Sequence, residues 1–271
     1  MNLKIPQVKL LNLDFGFEES RFAITTTSLT FEQPKVELYR DKLVADDMSF
    51  KPLYGKLLRE LPIIISVDKL DIENGHLVYE EKIDQAQEAG RLFFEDLNAE
   101  LNGISNRKDA KNIEVIANAK LMGEAKLKLD WSFDVNDKAD RFVASGALLN
   151  LQASQLNPFL EPNLQARAKG SIQEMYFTIN GNSTFSQGEM KMRYQDFKFN
   201  ILKKDRLKIN KVLTSIGSLF VNDGSKDDAA GYRYGKFEVE RETNTSFYNY
   251  LWMNVRDGMI NTLTGKGEKE D

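Results

Sequence analysis

The strict alternation of apolar and polar side chains between residues 125 and 135 constrains the fold more than any other feature of the sequence. Leu127, Leu129, Trp131 and Phe133 occupy every second position, and lysine, aspartate and serine residues fill the positions between them. Successive side chains of a β-strand point to opposite faces, so this stretch predicts a strand with one apolar and one charged face. At about 3.3 Å per residue it would span roughly 35 Å, which is long for a strand.

Much of the chain consists of segments of this kind. Asn74-Gly75 separates two of them and predicts a hairpin turn, because both residue types tolerate a positive φ. A change of phase near Gln195-Asp196 predicts a β-bulge. The remaining predicted strands are Leu3–Asp14, Arg21–Thr30, Pro34–Arg40, Ile63–Ile72, His76–Glu81, Leu92–Leu101, Ile113–Leu121, Arg141–Leu151, Leu164–Asn180, Phe185–Leu202 and Tyr232–Glu242.

Four segments have the 3.6-residue period of a helix or break the strand pattern. They are Pro52–Leu61, Leu156–Pro162 as a single turn, Leu207–Phe220, and Ser246–Leu263 with Ser246 as its cap. Helices do not alternate with strands, which favours an antiparallel meander. More than about ten twisted strands curl or split. We therefore predict a mainly β fold: one long, curved, antiparallel sheet that forms a groove, with a few short helices capping its ends, as a single domain over residues 1–271.

Composition excludes several kinds of function. The net charge is −4 and no block rich in lysine and arginine occurs, so we expect no nucleic-acid partner. The absence of cysteine rules out disulfides, thiolate catalysis and cysteine zinc sites. No signal peptide and no run of about 18 apolar residues is present. The chain begins in strand-like sequence, and we expect it to be the C-terminal part of a longer protein.

The polar residues that could support catalysis are few. His76 is the only histidine, and neither a serine nor a cysteine lies near it at the spacing of a catalytic triad. The paired acids Asp46-Asp47, Glu80-Glu81 and Asp227-Asp228 lack the spacing of a calcium loop, and solvated loop charge accounts for them. We expect no enzymatic activity, no metal and no cofactor.

The apolar strand faces admit two interpretations. Their side chains fill a closed core, or they line a trough that stays open for acyl chains, since an exposed apolar surface of that size needs a ligand or a partner. In the second case the lipid-facing candidates are Leu127, Leu129, Trp131, Phe133, Phe177, Met190 and Met192. The aromatic final helix is expected to pack against the end of the sheet rather than on a membrane.

Several segments together resemble the C-terminal region of AsmA-like proteins of the type found in Bacteroidetes. The resemblance runs from about Leu61 to the end and lies in the order and spacing of the segments. They are LPIIISVDKLDIENGHLVYEEK (61–82), GRLFFEDLNAELNGISN (90–106), AKLMGEAKLKLDWSFDVND (119–137), LNPFLEP (156–162), FSQGEMKMRYQDFKFNIL (185–202) and ERETNTSFYNYLWMNVRDGM (240–259).

This resemblance implies a function that the residues alone do not. AsmA-like proteins are related to bridge-like lipid-transfer proteins, which have a β-rich groove, and are implicated in phospholipid transport toward the outer membrane. The resemblance implies a non-enzymatic cell-envelope protein that binds or conveys phospholipid, or another acyl lipid, along an apolar groove between the two membranes. It also implies a periplasmic location, with an inner-membrane anchor in the full-length protein. The alternative is a structural module that assists outer-membrane assembly by binding an envelope protein at a strand edge.

Overall fold

The chain forms one large, curved, open β-sheet with three short helices, which confirms the predicted fold class. The computed structural model describes residues 1–85, 87–202 and 228–265. Thirteen strands join in the sheet. They are β1 (Asn2–Lys4), β2 (Gln7–Leu11), β3 (Asp14–Glu18), β4 (Arg21–Glu32), β5 (Lys35–Asp41), β6 (Ile64–Lys82), β7 (Gly90–Ser105), β8 (Ile113–Leu121), β9 (Ala125–Phe133), β10 (Phe142–Gln152), β11 (Ala166–Gly181), β12 (Phe185–Ile201) and β13 (Arg233–Glu240).

Two helices lie in connections between strands, and the third follows the last strand. They are α1 (Tyr54–Arg59), α2 (Asn157–Leu164), which follows a 3₁₀ turn at Ala153–Leu156, and α3 (Phe247–Thr264). Three of the four predicted helical segments are thereby confirmed, and the fourth, Leu207–Phe220, lies outside the described residues. Ser246 caps α3 as predicted, because its Oγ accepts a hydrogen bond from the N–H of Asn249 at 3.2 Å.

From β6 to β13 the sheet is an antiparallel meander in which each strand pairs with the next one in sequence. The alternating stretch around Trp131 is β9, as predicted, and its polar face carries the exposed Lys126 and Lys128. Met122 and Gly123 both have positive φ, which suits the tight turn that joins β8 to β9.

The first three strands form one broken strand along the edge of the sheet. Asn2 pairs with Glu37, Gln7 with Glu32 and Asp14 with Thr25, so the register against β5 and β4 stays constant across both breaks. Glu19 and Ser20, both at positive φ, make the two-residue turn of this long hairpin.

β4 and β5 pair with β6 in parallel, which departs from the predicted meander. The reason is the connection: residues 42–63, which include α1, carry the chain back to the end of the sheet where β4 began. Parallel neighbours require a crossover of about this length, and two-residue turns cannot supply it.

The predicted hairpin turn at Asn74-Gly75 was wrong. β6 continues through both residues, and its two halves pair with the same neighbour, β7, with a shift of register around Gly75. Asn74 has a φ of 52°, and this positive φ belongs to a β-bulge within β6 rather than to a reversal of the chain direction. A Cβ on Gly75 would lie 3.3 Å from both Pro34 Cγ and the carbonyl oxygen of Leu97.

The predicted bulge near Asp196 is confirmed. The register of β11 against β12 shifts between Lys169 and Ser171, and Asp196 has a φ of 49°. Gly170 fits only as glycine, because its Cβ would lie 2.3 Å from the carbonyl oxygen of Asp196. Such bulges let long strands bend, which an open curved sheet of this width requires.

Two helices cap opposite ends of the strands. α2 packs on both β7 and β11, which three strands separate in the sheet, so the sheet curves enough for one helix to reach both. At the other end, Arg59 of α1 bonds the carboxylate of Asp140 at 2.8 Å and the carbonyl oxygen of Asp137 at 3.1 Å. The predicted capping of the ends by short helices is therefore present.

Candidate functional site

Two lines of residues run across the entire sheet. Each line consists of direct partners on successive neighbouring strands, and neither contains a polar side chain. Direct partners on neighbouring strands point to the same side of a sheet, so each line lies on one face. The first line is Leu10, Leu29, Leu70, Leu101, Val115, Trp131, Ala144, Ile179, Gly188 and Phe237. The second line is Val8, Phe31, Ile72, Ala99, Ala117, Leu129, Gly146, Phe177, Met190 and Gly235. We call the surface that carries both lines the apolar face.

Helix α3 covers the apolar face over the last strands. It packs on β13 and β12 and reaches the edge of β11. Two glycines permit this close approach. A Cβ on Gly235 of β13 would lie 2.6 Å from the backbone nitrogen of Thr262, and one on Gly258 of α3 would lie 2.8 Å from the ring of Phe237. Beneath the helix, Met190 is 1% exposed. This half of the apolar face is closed core.

The other half of the apolar face, on strands β2 to β9, is accessible. Leu29, Leu70 and Leu101 are half-buried, and at the edge Val8 and Leu10 are each 45% exposed. Exposure is greatest at the edge of the sheet, although Val115 on β8, within this half, is only 8% exposed. We call this part, from Leu10 to Leu129, the open half.

An aromatic cluster marks the border between the two halves. The ring of Trp131 stacks on Phe247 of α3 at 4.5 Å and on Phe133 at 4.8 Å between centroids. Tyr54 of α1 meets the same indole edge-on at 5.4 Å. Burial raises the pKa of the Tyr54 phenol, so this group stays neutral at physiological pH. The indole N–H of Trp131 is buried and has no hydrogen-bond partner among the described residues.

All seven lipid-facing candidates lie on the apolar face, but they differ in accessibility. Leu127, Leu129 and Trp131 are half-buried. The other four lie in the closed half or at its border and are nearly inaccessible: Phe133, Phe177, Met190 and Met192 are 8%, 6%, 1% and 0% exposed. The role of the seven as lipid contacts stays a prediction.

The sequence-based candidates included the β9 residues of the open half but none from its other strands. The side chains that line it on β2, β4, β6 and β7 were not among the candidates, although Leu97, Ala99 and Leu101 share one phase in the sequence. A signal was available in that phase. It was obscured because the bulges in β6 and β7 interrupt the alternation just before and after the accessible residues.

The polar residues that could support catalysis are held by local contacts. His76 is half-buried in β6 with its ring 6.2 Å from that of Phe93. Asp46 accepts a hydrogen bond from Arg40 at 3.2 Å. Lys51 and Ser49 lower the pKa of Asp47 to about 2.

The other two acidic pairs behave in the same way. Glu81 accepts a hydrogen bond from Tyr79 Oη at 2.6 Å, and Asp228 accepts one from Tyr234 Oη at 2.6 Å. Asp227 lies outside the described residues. Across residues 1–85, 87–202 and 228–265, no three histidine or acidic side chains converge as a metal site would require.

Comparison of the chain with protein-family models, curated proteins and solved structures gave no match. In the described part of the chain no helix combines the length and the apolar character needed to cross a membrane.

Proposed function

We propose that this protein binds acyl lipid on the open half of the apolar face. The observation that carries the proposal is the pair of unbroken apolar lines, which are buried under α3 at one end, exposed at the sheet edge at the other, and half-buried on β4, β6, β7 and β9 between them. Apolar surface of this extent and continuity is unusual on a protein without a ligand or partner.

The dimensions of the open half suit an acyl chain. The open half lies on six strands, namely β2, β4, β6, β7, β8 and β9. At about 4.8 Å between neighbouring strands they span roughly 24 Å. Half of a bilayer's hydrocarbon core is about 15 Å deep, so one extended acyl chain fits along the lines. Each buried CH₂ contributes about 0.8 kcal/mol, so a dozen of them offset much of the cost of leaving a bilayer.

The cellular setting of the proposal rests on the segment resemblance. We propose that the chain is a non-enzymatic, AsmA-like component of the cell envelope, on its periplasmic side, that conveys phospholipid between the membranes. The absence of polar side chains from both lines supports passive shielding rather than chemistry on the lipid. Fractionation of cells that express the full-length gene tests the location.

Native mass spectrometry of protein purified without detergent tests lipid binding directly. We expect phospholipid at a defined stoichiometry, which solvent extraction then identifies. The variant Leu70→Asp places a charge on the open half, and Ile116→Asp places one on the opposite face of β8, two strands away, where the side chain is exposed. The first should lose the lipid and the second should keep it. A bare wild-type mass, or equal loss in both variants, would contradict the proposal.

A spectroscopic test uses the position of Trp131 at the border of the open half. The chain has two tryptophans, and Trp252 on α3 is exposed, so Trp252→Phe leaves Trp131 as the only one. Phospholipid with brominated acyl chains should quench Trp131 emission in this variant. The matched Trp131→Phe variant, which retains Trp252, should show little quenching. Equal quenching in both would indicate non-specific adsorption.

A second function has its own support. Strands β1 to β3 form an edge whose residues are exposed on both faces, apart from the half-buried Ile5 in a break between them. An edge of this kind can accept a strand from a partner, as the alternative of an interaction module in outer-membrane assembly requires. Crosslinking in the absence of bound lipid distinguishes this function from lipid binding.

A further inference from the structure

The edge formed by residues 2–18, which we call the free edge, concentrates the exposed apolar residues of the molecule. Of the twenty large hydrophobic side chains that are exposed in the described residues, nine belong to residues 1–22. Each of β1, β2 and β3 pairs on one side only within that part of the chain. Natural edge strands are normally short, charged or covered, since an unpaired apolar edge pairs with other chains.

The opposite edge of the sheet shows the usual protection. β13 has eight residues, its exposed positions include Lys236, Glu238 and Glu240, and α3 packs against its other face. The free edge is about twice as long, and its exposed positions include Leu11, Phe15 and Phe17. Among the described residues, the free edge is therefore the edge of the sheet that is open to pairing with a partner.

We propose that the partner is a second copy of this chain, paired antiparallel along the free edge about a two-fold axis at Lys9. β2 runs from Gln7 to Leu11, so Lys9 is its centre, and the two breaks in the strand lie at equal distances on either side. In this register Pro6 of one copy lies opposite Asn12 of the other, so that the breaks coincide. An isologous contact requires such self-complementarity.

The side chains are complementary in the same register. Val8 lies opposite Leu10, Ile5 opposite Leu13, and Leu3 opposite Phe15, so three apolar pairs form and each occurs twice by symmetry. Leu11 lies opposite Gln7. Lys4 lies opposite Asp14, which adds an ion pair on each side of the axis. A parallel arrangement in register would instead place each lysine and each aspartate opposite its own copy.

Two residues of the free edge, Lys9 and Pro6, reduce the stability of the pairing without preventing it. Lys9 meets its own copy, but each ammonium group already pairs with Glu32 on the neighbouring strand β4. Pro6 lacks an N–H, and it falls at a break where the ladder is interrupted in any case. The apolar face also continues across the axis, since Leu10 of the first line meets Val8 of the second line in the other copy.

Sedimentation velocity on the purified wild-type chain at micromolar concentration tests the assembly. We expect twice the mass of one chain. The double variant Val8→Lys/Leu10→Lys places lysine opposite lysine at two symmetric positions and should be monomeric. The control Ile116→Lys/Val143→Lys adds the same charge at positions 40% and 45% exposed on interior strands, and it should stay dimeric. A monomeric wild type, or a dimer in the first variant, would overturn the proposal.

Disulfide crosslinking tests the register, because the natural chain has no cysteine. Lys9→Cys should form a covalent dimer on oxidation, since the two copies of residue 9 face each other. In Lys4→Cys the two thiols would be ten residues apart along the strands, about 33 Å, and should not join. A mixture of Lys4→Cys and Asp14→Cys should form the heterodimer. Efficient self-crosslinking of Lys4→Cys would rule out this register.

Discussion

The seating of α3 on β13 is the contact that closes half of the apolar face, and the substitution Gly235→Ala tests it. The added Cβ would lie 2.5 Å from Thr262 Oγ1, 2.6 Å from the backbone nitrogen of Thr262 and 2.9 Å from the carbonyl oxygen of Gly258. The hydroxyl can rotate away, but the two backbone atoms belong to the helix. Carbon in ordinary contact stays about 3.5 Å or more from such atoms, so α3 must shift by roughly 1 Å.

The size of the effect follows from what that shift disturbs. Met190 and Phe237 are buried beneath the helix. A gap of about 0.5–1 Å removes a quarter to a half of the dispersion energy of each contact, and overpacking of a core typically costs about 1–3 kcal/mol. We expect a loss of about 2 kcal/mol in the free energy of unfolding, which would lower Tm by roughly 4–8 °C in a chain of this size.

Urea unfolding and thermal circular dichroism measure this loss against a matched control. Gly16 lies in β3 and a Cβ there would meet no atom within 4 Å, so Gly16→Ala should leave stability unchanged or raise it slightly. The fluorescence of Trp131 in a Trp252→Phe background adds a local readout, since Phe247 of α3 stacks on it. If Gly235→Ala and Gly16→Ala unfold at the same urea concentration, α3 does not seat as closely as argued.

Four other substitutions test an ion pair, its exposed counterpart, a core residue and a helix cap. Asp140→Ala leaves Arg59 without its carboxylate and should cost about 3 kcal/mol in the free energy of unfolding, whereas Arg141→Ala breaks an exposed pair and should cost under about 1 kcal/mol. Phe177→Ala should cost about 3–5 kcal/mol because it empties a site in the closed core, as urea unfolding would show. Ser246→Ala removes the cap of α3 and should cost about 1 kcal/mol, with a loss of helical signal.

Local sequence pattern predicted most strands well because alternation depends only on neighbouring residues. β8 has the predicted bounds, Ile113–Leu121, and the bulge at Asp196 lies where the phase changes. The turn expected at Asn74-Gly75 failed for a non-local reason: β7 continues past it and pairs with both halves of β6. The parallel pairing of β4 and β5 with β6 could not be predicted from local pattern either, because it depends on the crossover through α1.

The candidate site was predicted only in part, because alternation also depends only on neighbouring residues. Alternation identified Leu127, Leu129 and Trp131 as residues of one apolar face, and the structure places them there. It could not identify which part of that face is covered. Whether Phe177 or Leu70 is accessible depends on where α3 packs, and α3 follows both residues in sequence by many positions.

Simple dimensions explain why the apolar face has two halves. Each apolar line crosses ten strands, which at about 4.8 Å per spacing makes a face roughly 43 Å wide. α3 has 18 residues and is about 27 Å long at 1.5 Å per residue, so even when laid along the lines it cannot cover them all. The difference in burial between Ala144, which is 0% exposed, and Leu10, which is 45% exposed, is the consequence. Acyl chains on the open half bury this remaining surface, whereas a second sheet paired at the free edge extends it, so the two do not compete.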